Sequence, residues 1–118
     1  MNIKFLKPIF IVGMMGTGKT LMAKKLGKLL KCSFVDLDLE ISKTTNSNVK
    51  EIFETQGKEK LKEIEFSVLT DVVNKKNKII SIGDSLINNQ KAWNFVVRTG
   101  IVIWLNGNLK AILNRLNP

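Results

Sequence analysis

The segment Gly13-Met14-Met15-Gly16-Thr17-Gly18-Lys19-Thr20 constrains this chain more than any other. It fits the phosphate-loop pattern G-x-x-x-x-G-K-[ST] and follows the apolar run Pro8-Ile9-Phe10-Ile11-Val12. Behind it, residues 19–31 place Leu21, Met22, Leu26, Leu29 and Leu30 on one helical side and Lys24, Lys25, Lys28 and Lys31 mostly on the other. Strand, glycine-rich turn and helix in that order let backbone N–H groups turn inward around phosphate oxygens, and the helix N-terminus adds its partial positive charge. Gly13, Met14, Gly16, Thr17 and Gly18 therefore read as a phosphate cradle. Lys19 reads as the catalytic cation that reaches the β- and γ-phosphates, and Thr20 as a hydroxyl ligand for Mg²⁺.

The run before the loop is apolar throughout, which implies cover on both faces, as in a parallel sheet. Lys4 and Lys7 ahead of an apolar stretch are also two features of a signal peptide, but the run is short and passes into Gly13 instead of a cleavage site. Three further apolar runs follow: Ser33-Phe34-Val35-Asp36, Ile79-Ile80-Ser81-Ile82 and Ile101-Val102-Ile103-Trp104-Leu105. Helical spacing covers 19–31 and 58–73, with shorter helices expected at 39–43, 49–55, 86–97 and 108–116. Strands alternating with helices predict an α/β, doubly wound, three-layer fold with a parallel sheet of about four strands. A length of 118 residues allows one domain, 1–118.

Composition removes several chemistries. The chain has no His and a single cysteine, Cys32, which excludes a disulfide framework, an ordinary zinc site and a histidine-activated nucleophile. No apolar run approaches the roughly 18 residues of a membrane span, so no membrane partner is expected. The net charge is +9, yet only Arg98 and Arg115 are arginines and aromatics are 7%. A nucleic-acid surface favours arginine and interleaved aromatics, so the charge reads as attraction for small anionic ligands and no nucleic-acid partner is expected.

Three groups of polar residues carry the remaining chemistry. Asp36-Leu37-Asp38 closes the second apolar run, at the end of a parallel strand where ligands collect. Its alternation allows one carboxylate to face a metal's water shell and the other an acceptor; either Asp38 or Asp36 is the best group to orient and deprotonate an alcohol. The alternative is an N-cap for the next helix. On the helix over 58–73, Glu65 falls inside the stripe of Leu61, Ile64, Val68, Leu69 and Val72, with Lys62 at its edge. A buried charge is costly unless paired, so Lys62 and Glu65 either pair at i,i+3 or line a polar pocket. Gly83-Asp84-Ser85 ends the third run, where Asp84 would act on a metal's water shell or cap the following helix.

Together these residues resemble the shikimate kinase family, phosphate-loop kinases of the nucleoside-monophosphate-kinase fold. The resemblance rests on the loop at Gly13–Thr20, on D-x-D at Asp36–Asp38 followed by Ile41, and on Ile52-Phe53 through Gly57-Lys58 to Leu61-Lys62 and Ile64-Glu65. It extends to the fourth run and Leu113-Asn114-Arg115-Leu116. It implies ATP-dependent phosphorylation of shikimate to shikimate 3-phosphate by a cytoplasmic enzyme that uses ATP and Mg²⁺. By resemblance Asp36 helps hold Mg²⁺, Asp38 binds the acceptor hydroxyl, Arg115 packs on adenine, and Glu65 and Gly83 belong to the substrate pocket.

The departures from the family pattern carry expectations of their own. Lys62 stands where the family has an arginine that grips the shikimate carboxylate, a point charge in place of a bidentate fork. Gly83-Asp84-Ser85 stands where the family has three glycines, so the side chains are expected to crowd a backbone approach and Asp84 to repel a carboxylate. Ser42 replaces an acidic residue. The family continues past the position of Pro118 through an arginine-bearing lid, a second substrate-binding arginine and a last strand. These 118 residues alone are therefore expected to turn over slowly. Three functions stay open: transfer to shikimate, transfer to another small alcohol, or a nucleotide-binding remnant or regulatory domain without turnover. The oligomeric state is left open as well.

Overall fold

The computed structural model describes residues 7–13, 19–75 and 79–105. Four strands form one sheet: β1 (Ile9–Gly13), β2 (Phe34–Asp36), β3 (Ile79–Ile82) and β4 (Ile101–Leu105). Their order is β2-β3-β1-β4 and every pairing is parallel, as apolar runs alternating with helices predict. The helices are α1 (Lys19–Leu30), α2 (Leu37–Thr45), α3 (Val49–Gln56), α4 (Lys58–Asn74), α5 (Asp84–Ile87) and α6 (Gln90–Thr99).

Strand alternation divides the core into two layers. Ile11 and Ile79 pack with Met22 and Ala23 of α1 on one face. Phe10, Val12, Ile80 and Ile82 pack on the other face with Leu37, Ile41, Ile52, Leu69, Leu86, Ala92 and Val96 from the remaining five helices. β1 and β3 are neighbours, but α1 covers one face and α5 and α6 the opposite one. The chain therefore parts at the C-terminal ends of these two strands, where an open parallel sheet forms its ligand crevice.

Two helical expectations are revised. The second helix starts at Leu37 instead of residue 39, because the Asp36 side chain caps it from the last position of β2. The single helix expected over 86–97 is two, α5 and α6, separated at Asn88 and Asn89. Asn88 ends the first, and Asn89 caps the second, accepting from the Ala92 N–H at 3.3 Å, so a local polar side chain outcompetes helix continuation. The helix expected at 108–116 lies outside the described residues. Among the described residues no helix is long and apolar enough to cross a membrane.

Candidate active site

The C-terminal edge of the sheet gathers Gly13, Asp36 and Gly83 beside the start of α1. Lys19 and Thr20 open α1, so the backbone delivers a helix N-terminus to that edge as the loop pattern requires. Met14, Gly16, Thr17, Gly18 and Arg115 lie outside the described residues, as do the side chains of Lys19 and Thr20.

Both carboxylates of the D-x-D pair reach this edge, and they do different things. Asp36 Oδ1 accepts from the backbone N–H groups of Asp38 at 3.0 Å and Leu39 at 3.4 Å, so the capping expectation holds for this residue. Asp38 is exposed in the first turn of α2. Its carboxylate lies over Gly83 so closely that a Cβ at position 83 would stand 2.7 Å from Oδ2 and 3.2 Å from Oδ1. Gly83 thus admits the Asp38 carboxylate to the end of β3, and the two form one wall of the crevice.

A buried serine hydroxyl bears on the metal expected here. Ser81 is fully buried, and its Oγ has no hydrogen-bond partner among the described residues. Ser81 follows Ile79 by two residues and pairs with Asp36 in the β2–β3 register; it therefore faces the α1 side of the sheet, as does Asp36, two residues beyond Phe34. An orphaned hydroxyl in register with a carboxylate, both on the α1 side of the sheet, suits a hydrated Mg²⁺ and its oxygen ligands. Sequence reasoning missed Ser81, although a lone polar residue inside Ile-Ile-Ser-Ile was an available signal.

The polar wall on α4 differs from the pairing expectation, and Lys62 lines a pocket together with Asn89. Glu65 is 2% exposed, inside the apolar stripe as its spacing predicts. It does not pair with Lys62. Ser85 Oγ donates to Glu65 Oε2 at 2.6 Å, and Asn89 Nδ2 donates to Oε1 at 3.2 Å. Lys62 points instead toward Glu59, with 4.0 Å between the charged groups. The i,i+3 pair fails because two neutral donors from the β3–α6 segment reach the buried carboxylate, while the lysine remains nearer solvent. Ser85 also departs from the crowding expectation, since its hydroxyl is spent on Glu65. Asp84 is exposed and occupies the first turn of α5. The cap position of α5 is Gly83, so the reading of Asp84 as an N-cap is corrected.

A parallel sheet in this order, with the phosphate-loop sequence between its first strand and helix and acidic side chains at its C-terminal edge, defines a phosphate-loop kinase fold. Known proteins narrow the class. Residues 15–118 match the family model described as shikimate kinase. A shikimate kinase of Prochlorococcus marinus is 38% identical over 108 residues, covering 92% of this chain and 56% of the relative. One from a Sulfurihydrogenibium species is 34% identical over 111 residues, covering 94% and 67%. The solved shikimate kinase from Acinetobacter baumannii in complex with shikimate superposes with a TM-score of 0.81 at 30% identity, covering 98% of this chain and 64% of that one. The enzyme from Bacteroides thetaiotaomicron gives 0.79 at 31% identity, covering 92% and 62%. The chain belongs to the shikimate kinase family, and it spans a little over half to two thirds of the length of these relatives.

Proposed function

We propose that this chain carries the donor and acceptor sites of a phosphotransferase that moves the γ-phosphoryl group of ATP to a hydroxyl of shikimate. The observation that carries this reading is the Asp38 carboxylate held over Gly83 at the sheet edge where α1 begins. A carboxylate in that position orients an alcohol and takes its proton as the acceptor oxygen attacks phosphorus. The new O–P bond forms as the bond from the γ-phosphorus to the β,γ-bridging oxygen breaks, and ADP leaves with the electron pair of that bond. Phosphoryl transfer needs mainly positioning and charge neutralisation from the protein. In this proposal the loop backbone of residues 13–18 and the Lys19 side chain hold the phosphates, and Arg115 packs on adenine. Thr20 and Asp36, with Ser81 next to Asp36 in the sheet, would hold Mg²⁺, which when bound neutralises charge on the phosphate oxygens.

The shikimate found with the Acinetobacter baumannii enzyme and the family membership support the acceptor. A cytoplasmic location belongs to the same proposal. A second reading, transfer to a different small alcohol, has one observation behind it. Asp84 is exposed one residue after Gly83, where its charge disfavours an anionic acceptor. A coupled assay of ADP release, with shikimate, with its methyl ester and without acceptor, separates the readings. Release that rises only with shikimate supports the proposal, and release that rises only with the neutral ester supports the second reading. Release indifferent to any acceptor overturns both.

A further inference from the structure

The short helix α5 is tied at both ends to one carboxylate. Ser85, in its first turn, donates to Glu65 Oε2 at 2.6 Å, and Asn89, just beyond its last residue, donates to Oε1 at 3.2 Å. The Asn89 amide also donates to the Lys62 carbonyl at 3.0 Å, and its oxygen accepts from the Ala92 N–H. Glu65 and Asn89 are 2% and 3% exposed and Ser85 is half-buried, so water competes little at the shared acceptor. Hydrogen bonds to a charged, buried acceptor are among the stronger ones in a fold. The turn clamped this way begins at Gly83, whose Cα lies under the Asp38 carboxylate.

We propose that Ser85 is a positioning residue: through Glu65 it fixes the β3–α5 turn on α4, and so sets the distance between Gly83 and the Asp38 carboxylate. Asn89 is the second arm of the same clamp. Neither side chain needs to touch an acceptor to do this. The proposal rests on the acceptor reading above only in its functional consequence; the clamp itself is a property of the folded chain.

The test pairs hydrogen exchange with shikimate titration on the full chain. Ser85→Ala speeds amide exchange at Gly83 through Asn88 about tenfold, the loss expected for one charge-assisted bond, and leaves the amides of β1 and central α4 unchanged. It weakens shikimate binding several-fold while Mg²⁺–ADP binding stays at the wild-type value, and Ser85→Thr, which restores the hydroxyl, restores both. Unchanged exchange in the turn, or a loss that Ser85→Thr does not rescue, overturns the clamp. A uniform rise in exchange across the core also overturns it, because the bond would then be one of general stability. If the wild type binds no shikimate, the acceptor reading fails, and exchange in the turn still decides the clamp.

Discussion

The carboxylate of Asp38 occupies the space that a side chain at Gly83 would take, with room for a hydrogen at position 83 and none for a methyl group. Gly83 has φ −85° and ψ 171°, a conformation open to any residue, so its glycine is required by space alone. Gly83→Ala therefore displaces the end of the Asp38 side chain without straining the backbone. Stability is expected to stay within about 1 kcal/mol of wild type, because a flexible side chain moves. Shikimate-dependent turnover is expected to fall tenfold or more, since small misplacements of a reacting group are costly. Thermal melts and steady-state kinetics on the same preparation check both halves.

Glu65 anchors two donors, so its removal takes the acceptor of the half-buried Ser85 hydroxyl and one of the two acceptors of the buried Asn89 amide. Glu65→Ala is expected to destabilise the fold by roughly 2–4 kcal/mol, one lost set of partners plus a cavity. Glu65→Gln keeps an acceptor for Asn89 and offers an amide to the Ser85 hydroxyl, and is expected to cost roughly half as much or less. Urea midpoints at constant m-value measure the difference. Equal losses for the two variants would mean that the hydrogen bonds contribute little.

A stabilising change is available at the end of α1. Lys31 has φ 53°, and the Cys32 N–H donates to the Gly27 carbonyl at 3.0 Å, closing the helix through a left-handed residue. A lysine there bears a steric cost that glycine avoids, offset in part by the greater freedom of glycine in the unfolded chain. Lys31→Gly is expected to raise stability by about 0.5–1 kcal/mol, read as a higher urea midpoint.

Gly100 stands at the opposite extreme. An added Cβ would collide with the Pro8 carbonyl oxygen and lie 2.7 Å from Phe10 Cε2, and neither the backbone nor a fully buried ring can move cheaply. Gly100→Ala is expected to destabilise by about 1–3 kcal/mol or more, with a correspondingly lower melting temperature. An unchanged melting temperature would show that the β1–β4 junction is looser than its packing indicates.

The sheet was legible because its strands are short apolar runs, and a parallel sheet covered on both faces requires little else. Glu65 was legible as a buried charge because helical periodicity places it inside an apolar stripe. Its partners were not, because Ser85 and Asn89 arrive from 20 and 24 residues away, beyond any local pattern. The break between α5 and α6 was hidden for a related reason. Apolar spacing over 86–97 fits one helix, and the bonds of Asn89, local to Ala92 and tertiary to α4, make two shorter ones preferable. The two roles of Asp36 and Asp38 needed coordinates, since the sequence offers a cap and a ligand from the same two letters.

Phosphorus NMR of the chain with ATP, Mg²⁺ and shikimate decides whether these residues carry out the transfer. Shikimate 3-phosphate and ADP are expected to appear together in equal amounts, and the product signal to disappear in Lys19→Ala and in Asp38→Asn while both variants keep the wild-type circular dichroism spectrum. Inorganic phosphate forming at a rate indifferent to shikimate, or undiminished shikimate 3-phosphate from Asp38→Asn, would contradict it.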